Sequence, residues 1–120
     1  MSELKKSVID EKSFDFALEI IKLYKLLIKN NEYIISKQLL KSGTSIGANI
    51  SEASAAQSRK DFINKVSIAS KEARETRYWL RLLKQSDLVK LDVDKYLLLI
   101  DEIIRIITSI IKTSQKNVIV

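Results

Sequence analysis

The chain contains no proline, and its two glycines stand one helical turn apart, at Gly43 and Gly47. Strands joined by hairpins need Gly, Pro, Asn or Asp at fixed turn positions. A chain of 120 residues with so few breakers reads as helical from end to end. Apolar residues make up 46% of it, enough to bury a core and too many for a disordered segment. The length suits a single domain, residues 1–120.

Hydrophobic spacing divides the chain into four helices, at about residues 13–30, 32–55, 59–85 and 92–112. The first takes Ser13 as its N-cap, a role that suits serine. Its expected core face is Phe14, Ala17, Leu18, Ile21, Tyr24 and Ile28. The second carries Ile35, Leu39, Ile46, Ile50 and Ala53, with a line of small residues (Gly43, Gly47, Ser51, Ala55) beside them. Glycine inside a helix costs about 1 kcal/mol relative to alanine. Two of them therefore imply close approach of another helix backbone. A phosphate loop would need a Gly-Lys-Ser/Thr ending after a strand, and neither occurs here. The third helix opens with a capping box, Ser58 as cap and Asp61 reaching back, and buries Phe62, Val66, Ala69, Ala73 and Leu80. The fourth starts at the cap Asp92. Its stripe of Val93, Tyr96, Leu97, Ile100, Ile103, Ile104, Ile107, Ile110 and Ile111 is wide enough to bury against two neighbours. Residues 113–120 either continue that helix or fray. Short connections make sequential helices antiparallel, so the expected fold class is all-α, an antiparallel up-down-up-down four-helix bundle.

Composition also removes chemistry. There is no cysteine, hence no disulfide, thiolate metal site or cysteine nucleophile. There is no histidine, the commonest general base and metal ligand. Its absence also removes the di-iron bundles, which need Glu-x-x-His on two helices. No enzyme activity, metal or cofactor is expected. Residues 1–10 carry mixed charge and do not read as a signal peptide. The longest aliphatic run, Leu97 to Ile100, is far short of the roughly 20 residues a membrane span needs. A soluble, cytoplasmic protein is the expectation.

The formal net charge of +6 is modestly basic, a balance that favours anionic partners. Much of the excess lies on helix three, where eight bases face three acids. On a helical wheel Arg59, Lys60, Lys71, Arg74, Arg77, Arg81 and Lys84 fall within about 140°, with Lys65 outside that arc. One reading of this stripe is a face for phosphate backbones, centred on Arg74, Arg77 and Arg81. The other is a solvated face, or arginines paired with a neighbouring subunit's acids. Glu72, Glu75, Trp79 and Leu83 lie by a second apolar stripe that also includes Ile68. One bundle core does not need both stripes, so these four residues and part of helix four's wide stripe are expected at an oligomer interface. Trp79 and Tyr78 are capable of stacking on bases, but Trp79 is read as a packing anchor. Asn49 and Glu52, on the polar side of helix two, are grouped with Gly43 and Gly47 as packing residues, their part being hydrogen bonds between helices or between subunits.

Within residues 38–88, the run Ser45-Ile46-Gly47-Ala48-Asn49-Ile50, then Glu52, then Ala73, Glu75, Tyr78, Trp79 and Leu80 is distinctive. It resembles a bacterial four-helix-bundle family encoded by intervening sequences of large-subunit ribosomal RNA genes. Members are often labelled as ribosomal protein twenty-three of the S series. Residues 14–24 resemble that family's first helix. The resemblance implies an antiparallel bundle that assembles as a homopentamer. It also implies kinship with accessory proteins of diversity-generating retroelements, which bind nucleic acid and a reverse transcriptase. Many members carry glycine where this chain has Ala53, so helix two is expected to run on further here.

Two functions follow as expectations. The first is a non-catalytic oligomer that binds RNA or DNA without sequence specificity, since no helix-turn-helix, zinc finger or RNA-recognition motif is present. The alternative is a protein-interaction scaffold whose basic stripe is incidental.

Overall fold

The computed structural model describes the backbone of residues 3–119 and the side chains of residues 8–116. Those residues form four helices and no strand: α1 (Glu3–Lys29), α2 (Ile35–Ser54), α3 (Arg59–Ser86) and α4 (Asp94–Ile119). Each helix packs on two others, α1 on α2 and α4, α3 on α2 and α4. Paired residues run in opposite directions along every seam. Asp10 meets Ser54 while Ile20 lies over Gly43. Lys65 meets Glu52 while Thr76 meets Ser42. Arg77 meets Asp101 while Lys84 meets Asp94. Lys12 meets Glu102 while Glu19 meets Lys95. The bundle is therefore antiparallel throughout, 51 × 22 × 21 Å.

The core follows the helical period. α2 buries Leu39, Ile46, Ile50 and Ala53, and α3 buries Val66, Ala69, Ala73 and Leu80, as their spacing predicts. α4 buries Val93, Tyr96, Ile100, Ile103, Ile107 and Ile110. Leu97, Ile104 and Ile111 are half-buried along the stripe's edges. Its width is used within one chain, because α4 packs on both α1 and α3. Removing each such side chain from water contributes about 1.5–3 kcal/mol.

α1 differs from its expected form in two ways. It is already helical at Glu3, so Ser13 is no cap. Ser13 lies mid-helix, buried, with its hydroxyl bonded back to the Asp10 carbonyl at 3.3 Å. The preceding residues include Ile9, which extends the core stripe by a further turn. The stripe's phase is also different. The core takes Ile9, Phe16, Ile20, Leu23 and Leu27, whereas Phe14 is 64% exposed and Leu18 45%. Both sets repeat every three or four residues, so periodicity alone does not choose between them.

The helix ends are held locally. Asn31 adopts a left-handed φ of 62° after α1, a conformation asparagine tolerates. Glu32 lies outside α2 instead of beginning it. Its buried carboxylate accepts hydrogen bonds from the backbone N–H groups of Ile34 and Ile35 at 3.1 Å and of Ser36 at 2.6 Å. It therefore satisfies donors that a helix start leaves unpaired and places a negative charge at the positive end of the dipole. α2 runs through Ala53 and ends at Ser54. Ser58 caps α3, accepting from the Asp61 N–H at 3.0 Å. Asp92 lies ahead of α4 and accepts from the Asp94 N–H at 3.0 Å. The last helix continues through Ile119, and Val120 lies outside the described residues. Among the described residues, no helix is long and apolar enough to cross a membrane.

Candidate nucleic-acid interface

α3 is the helix on which the sequence concentrates positive charge, and its position decides which charges remain available. Val66, Ala69, Ala73, Thr76, Leu80 and Leu83 turn inward. The opposite face of the helix is left to solvent, and all seven bases of the expected stripe are exposed there.

The stripe splits in two. On the edge beside α4, Arg77 Nε reaches Asp101 Oδ1 at 2.8 Å, and Lys84 Nζ reaches Asp94 Oδ1 at 2.8 Å. The hydrogen bond that Lys84 donates to Asp94 raises the Lys84 pKa above the usual lysine value, with Asp94's charge adding to the effect. These two bases are already partly neutralised. Asp101 of α4 thus faces α3 across the seam. Arg59, Lys60, Lys71, Arg74 and Arg81 make no ion pair among the described residues. Lys65, outside the stripe, is paired with Glu52 across the α2–α3 seam at 2.9 Å.

Tyr78 stands inside the unpaired group, 54% exposed, one turn after Arg74 and one turn before Arg81. Its ring meets Trp79 edge-on, with centroids 5.1 Å apart and planes at 73°. Trp79 is half-buried against the core, and its indole N–H donates to Glu75 Oε2 at 3.2 Å. The signal for Tyr78 was its spacing to the arginines. Its pairing with Trp79 in the sequence obscured which of the two aromatics faces solvent.

Of the residues expected at an oligomer interface, one turns inward. Leu83 is 2% exposed in the chain's own core and offers nothing to a partner. Its place on the wheel is the edge of the stripe that α2 and α4 cover, where periodicity alone does not separate inward from outward. Glu72, Glu75 and Trp79 are half-buried beside it.

The helix-packing residues also separate. A Cβ on Gly43 would lie 2.9 Å from both γ-carbons of Ile20, and one on Gly47 would lie 3.2 Å from the Ser13 carbonyl oxygen. The two glycines thus mark where α1 crosses α2. Asn49 bonds within its own helix, donating to the Ser45 carbonyl at 2.9 Å, whereas Glu52 spans the seam to Lys65. The α2–α3 seam also contains a hydroxyl pair that the apolar pattern passed over. Ser42 and Thr76, both fully buried, meet at 2.9 Å.

Periodicity also misplaces an apolar surface on α1. Phe14, Leu18 and Ile21 form an exposed ridge on the face first assigned to the core. Beside it a groove of about 640 Å³ is floored by Thr44, Gly47, Ala48 and Ser51 of α2.

Comparison with known proteins agrees with this architecture. A crystal structure of a protein of unknown function from the S23 ribosomal protein family of Bacteroides thetaiotaomicron superposes with a TM-score of 0.85. The two share 49% sequence identity over 90% of this chain and 98% of the other. No functionally curated protein is similar to the chain. The model of the 23S rRNA-intervening sequence proteins matches residues 5–109, with the four-helix antiparallel fold in common with its structural relative, and the chain belongs to that family.

Proposed function

We propose that the protein is a non-catalytic, basic homo-oligomer that binds nucleic acid without reading base sequence, through the outer face of α3. The observation that carries this reading is the division of the α3 bases. α4 supplies carboxylates to Arg77 and Lys84, while Arg59, Lys60, Lys71, Arg74 and Arg81 stay exposed and unpaired. Cations free of an internal partner are those that gain most from phosphate, because each phosphate contact releases condensed counterions.

The oligomer is assigned to the α1 ridge and the α2 groove beside it. Large apolar side chains next to a trough of small ones give a surface whose knobs and hollows are capable of fitting a second copy. Repeating the α3 face in a ring would make a weak patch multivalent. A cytoplasmic setting suits a chain without cysteine. A second reading, docking of another protein such as a reverse transcriptase, draws on the same apolar ridge.

The test measures binding to labelled structured RNA and duplex DNA across a salt series, with the mass in solution determined in parallel. The proposal expects an oligomer whose binding falls steeply with salt and weakens when Lys71, Arg74 and Arg81 are changed together to Gln. Phe14→Ser with Leu18→Ser should lower the mass. Binding insensitive to salt, or none at low salt, overturns the nucleic-acid reading. Capture of a protein partner that survives nuclease would then favour the scaffold.

A further inference from the structure

The α3 face carries an aromatic ring where a simple phosphate-binding surface has no need of one. Tyr78 is the largest apolar group exposed on this helix. The helix's other two aromatics, Phe62 and Trp79, are partly buried and packed against the core. Lys71, Arg74, Tyr78 and Arg81 lie within about 80° of one another at 100° per residue. They form one path about 15 Å long at 1.5 Å rise per residue. From these placements we infer that the preferred occupant of this path is an unpaired nucleic-acid strand, with Tyr78 the surface on which a base stacks. The inference rests on the nucleic-acid reading above and names the form of nucleic acid it takes.

Three features support it. The bases of a duplex are stacked on each other and offer no free π-face to a side chain, whereas unpaired bases do. An aromatic in the middle of a basic path is therefore useful to a single strand and an obstruction to a duplex backbone. The Tyr78 ring is also supported from behind. Its edge-on contact with Trp79, itself tethered to Glu75, restricts the ring before any ligand arrives and reduces the ordering cost of binding. Finally, Arg74 and Arg81 lie on either side of Tyr78, one turn away each, with no ion-pair partner among the described residues. They are placed to hold the phosphates before and after a stacked base. Arg77, between them in sequence, is turned toward α4 by Asp101 and leaves the ring clear.

The experiment compares a short labelled oligouridylate with a duplex of equal length, using the full-length protein and the variants Tyr78→Ala, Tyr78→Phe and Arg74→Gln with Arg81→Gln. Tyr78 is half-exposed outside the core, so these changes leave the bundle intact, which the helical circular dichroism of each variant checks. The expected result is tighter binding of the single strand. Tyr78→Ala should weaken it about 5- to 150-fold, the range for one lost base–aromatic stack. Its salt dependence should stay near that of the parent, and Tyr78→Phe should bind like the parent. The arginine pair should reduce the salt slope instead. Equal affinity for duplex and single strand, or an unchanged Tyr78→Ala, overturns this inference while leaving the general reading in place if the arginine pair still weakens binding. Failure of the parent protein to bind either probe at low salt overturns both.

Discussion

The α1–α2 seam and the α3–α4 seam are held by different physics. Between α1 and α2 the limit is shape. Ile20 fills the space where a side chain on Gly43 would begin, and the Ser13 carbonyl does the same for Gly47. Between α3 and α4 an apolar interior is rimmed by two exposed ion pairs, Arg77–Asp101 and Lys84–Asp94. Close packing leaves no slack, since one added methylene forces strain. Exposed ion pairs contribute little to stability. Here their consequence is electrostatic, for they determine which α3 bases remain for an anion. One seam thus sets the fold's tolerance to substitution, and the other sets the charge of the candidate site.

The contrast is broken most severely at Gly43. Gly43→Leu should destabilise the bundle by about 3 kcal/mol or more, as overpacking with several added carbons does. Urea unfolding measures it, and a midpoint equal to the parent's would mean the seam is not limited by shape. Gly47→Ala is milder, because the contact at 3.2 Å is closer to ordinary and the helix gains about 1 kcal/mol of propensity.

The α2–α3 seam lies between the two extremes. Thr76→Val leaves the buried Ser42 hydroxyl without its partner at nearly constant volume. A loss of about 1–3 kcal/mol is expected, and Ser42→Ala in the same background should recover part of it. A Thr76→Val protein as stable as the parent would show that the hydroxyl pair is indifferent.

At the α3–α4 rim, Asp94→Asn with Asp101→Asn should barely move the melting midpoint. The same double change frees Lys84 and Arg77. Nucleic-acid binding should then tighten, and the salt slope should steepen by up to about one for each base recruited. A large stability loss would assign these pairs to the fold rather than to the site.

The smallest effect is expected where α1 meets α4. The Lys95 ammonium, hydrogen-bonded to Glu19, holds that carboxyl's pKa below its ordinary value against the opposing effect of burial, with Lys22 assisting. A carboxyl lowered on folding contributes stability above its unfolded pKa. That contribution fades as pH falls toward and through the lower folded value. Thermal melts of the parent and Glu19→Gln should therefore differ slightly at neutral pH and converge in acid. Divergence on acidification would contradict the pairing.

Much of the fold was legible because helical periodicity is a local property. Val66, Ala69, Ala73 and Leu80 on α3, and the isoleucines of α4, repeat at a spacing that admits one inward face. α1 was not legible in the same way. Phe14, Leu18 and Ile21 repeat as regularly as Phe16, Ile20 and Leu23, and only the second set is buried. The candidate site was half legible. The excess of bases on α3 is written in the sequence, whereas the loss of Arg77 and Lys84 to α4 depends on residues 24 and 10 positions away along the chain.

The sequence by itself determined that this chain is helical, that it has four amphipathic segments, and that its positive charge gathers on the third. Those outcomes depend on missing breakers, periodicity and composition, which act along the chain. Tertiary structure decided which face of α1 is core, why Gly43 and Gly47 stand where they do, where Leu83 is buried, and which arginines remain unpaired. Each of these depends on what a neighbouring helix places opposite a given side chain, and a single helix's pattern does not contain its neighbour's surface.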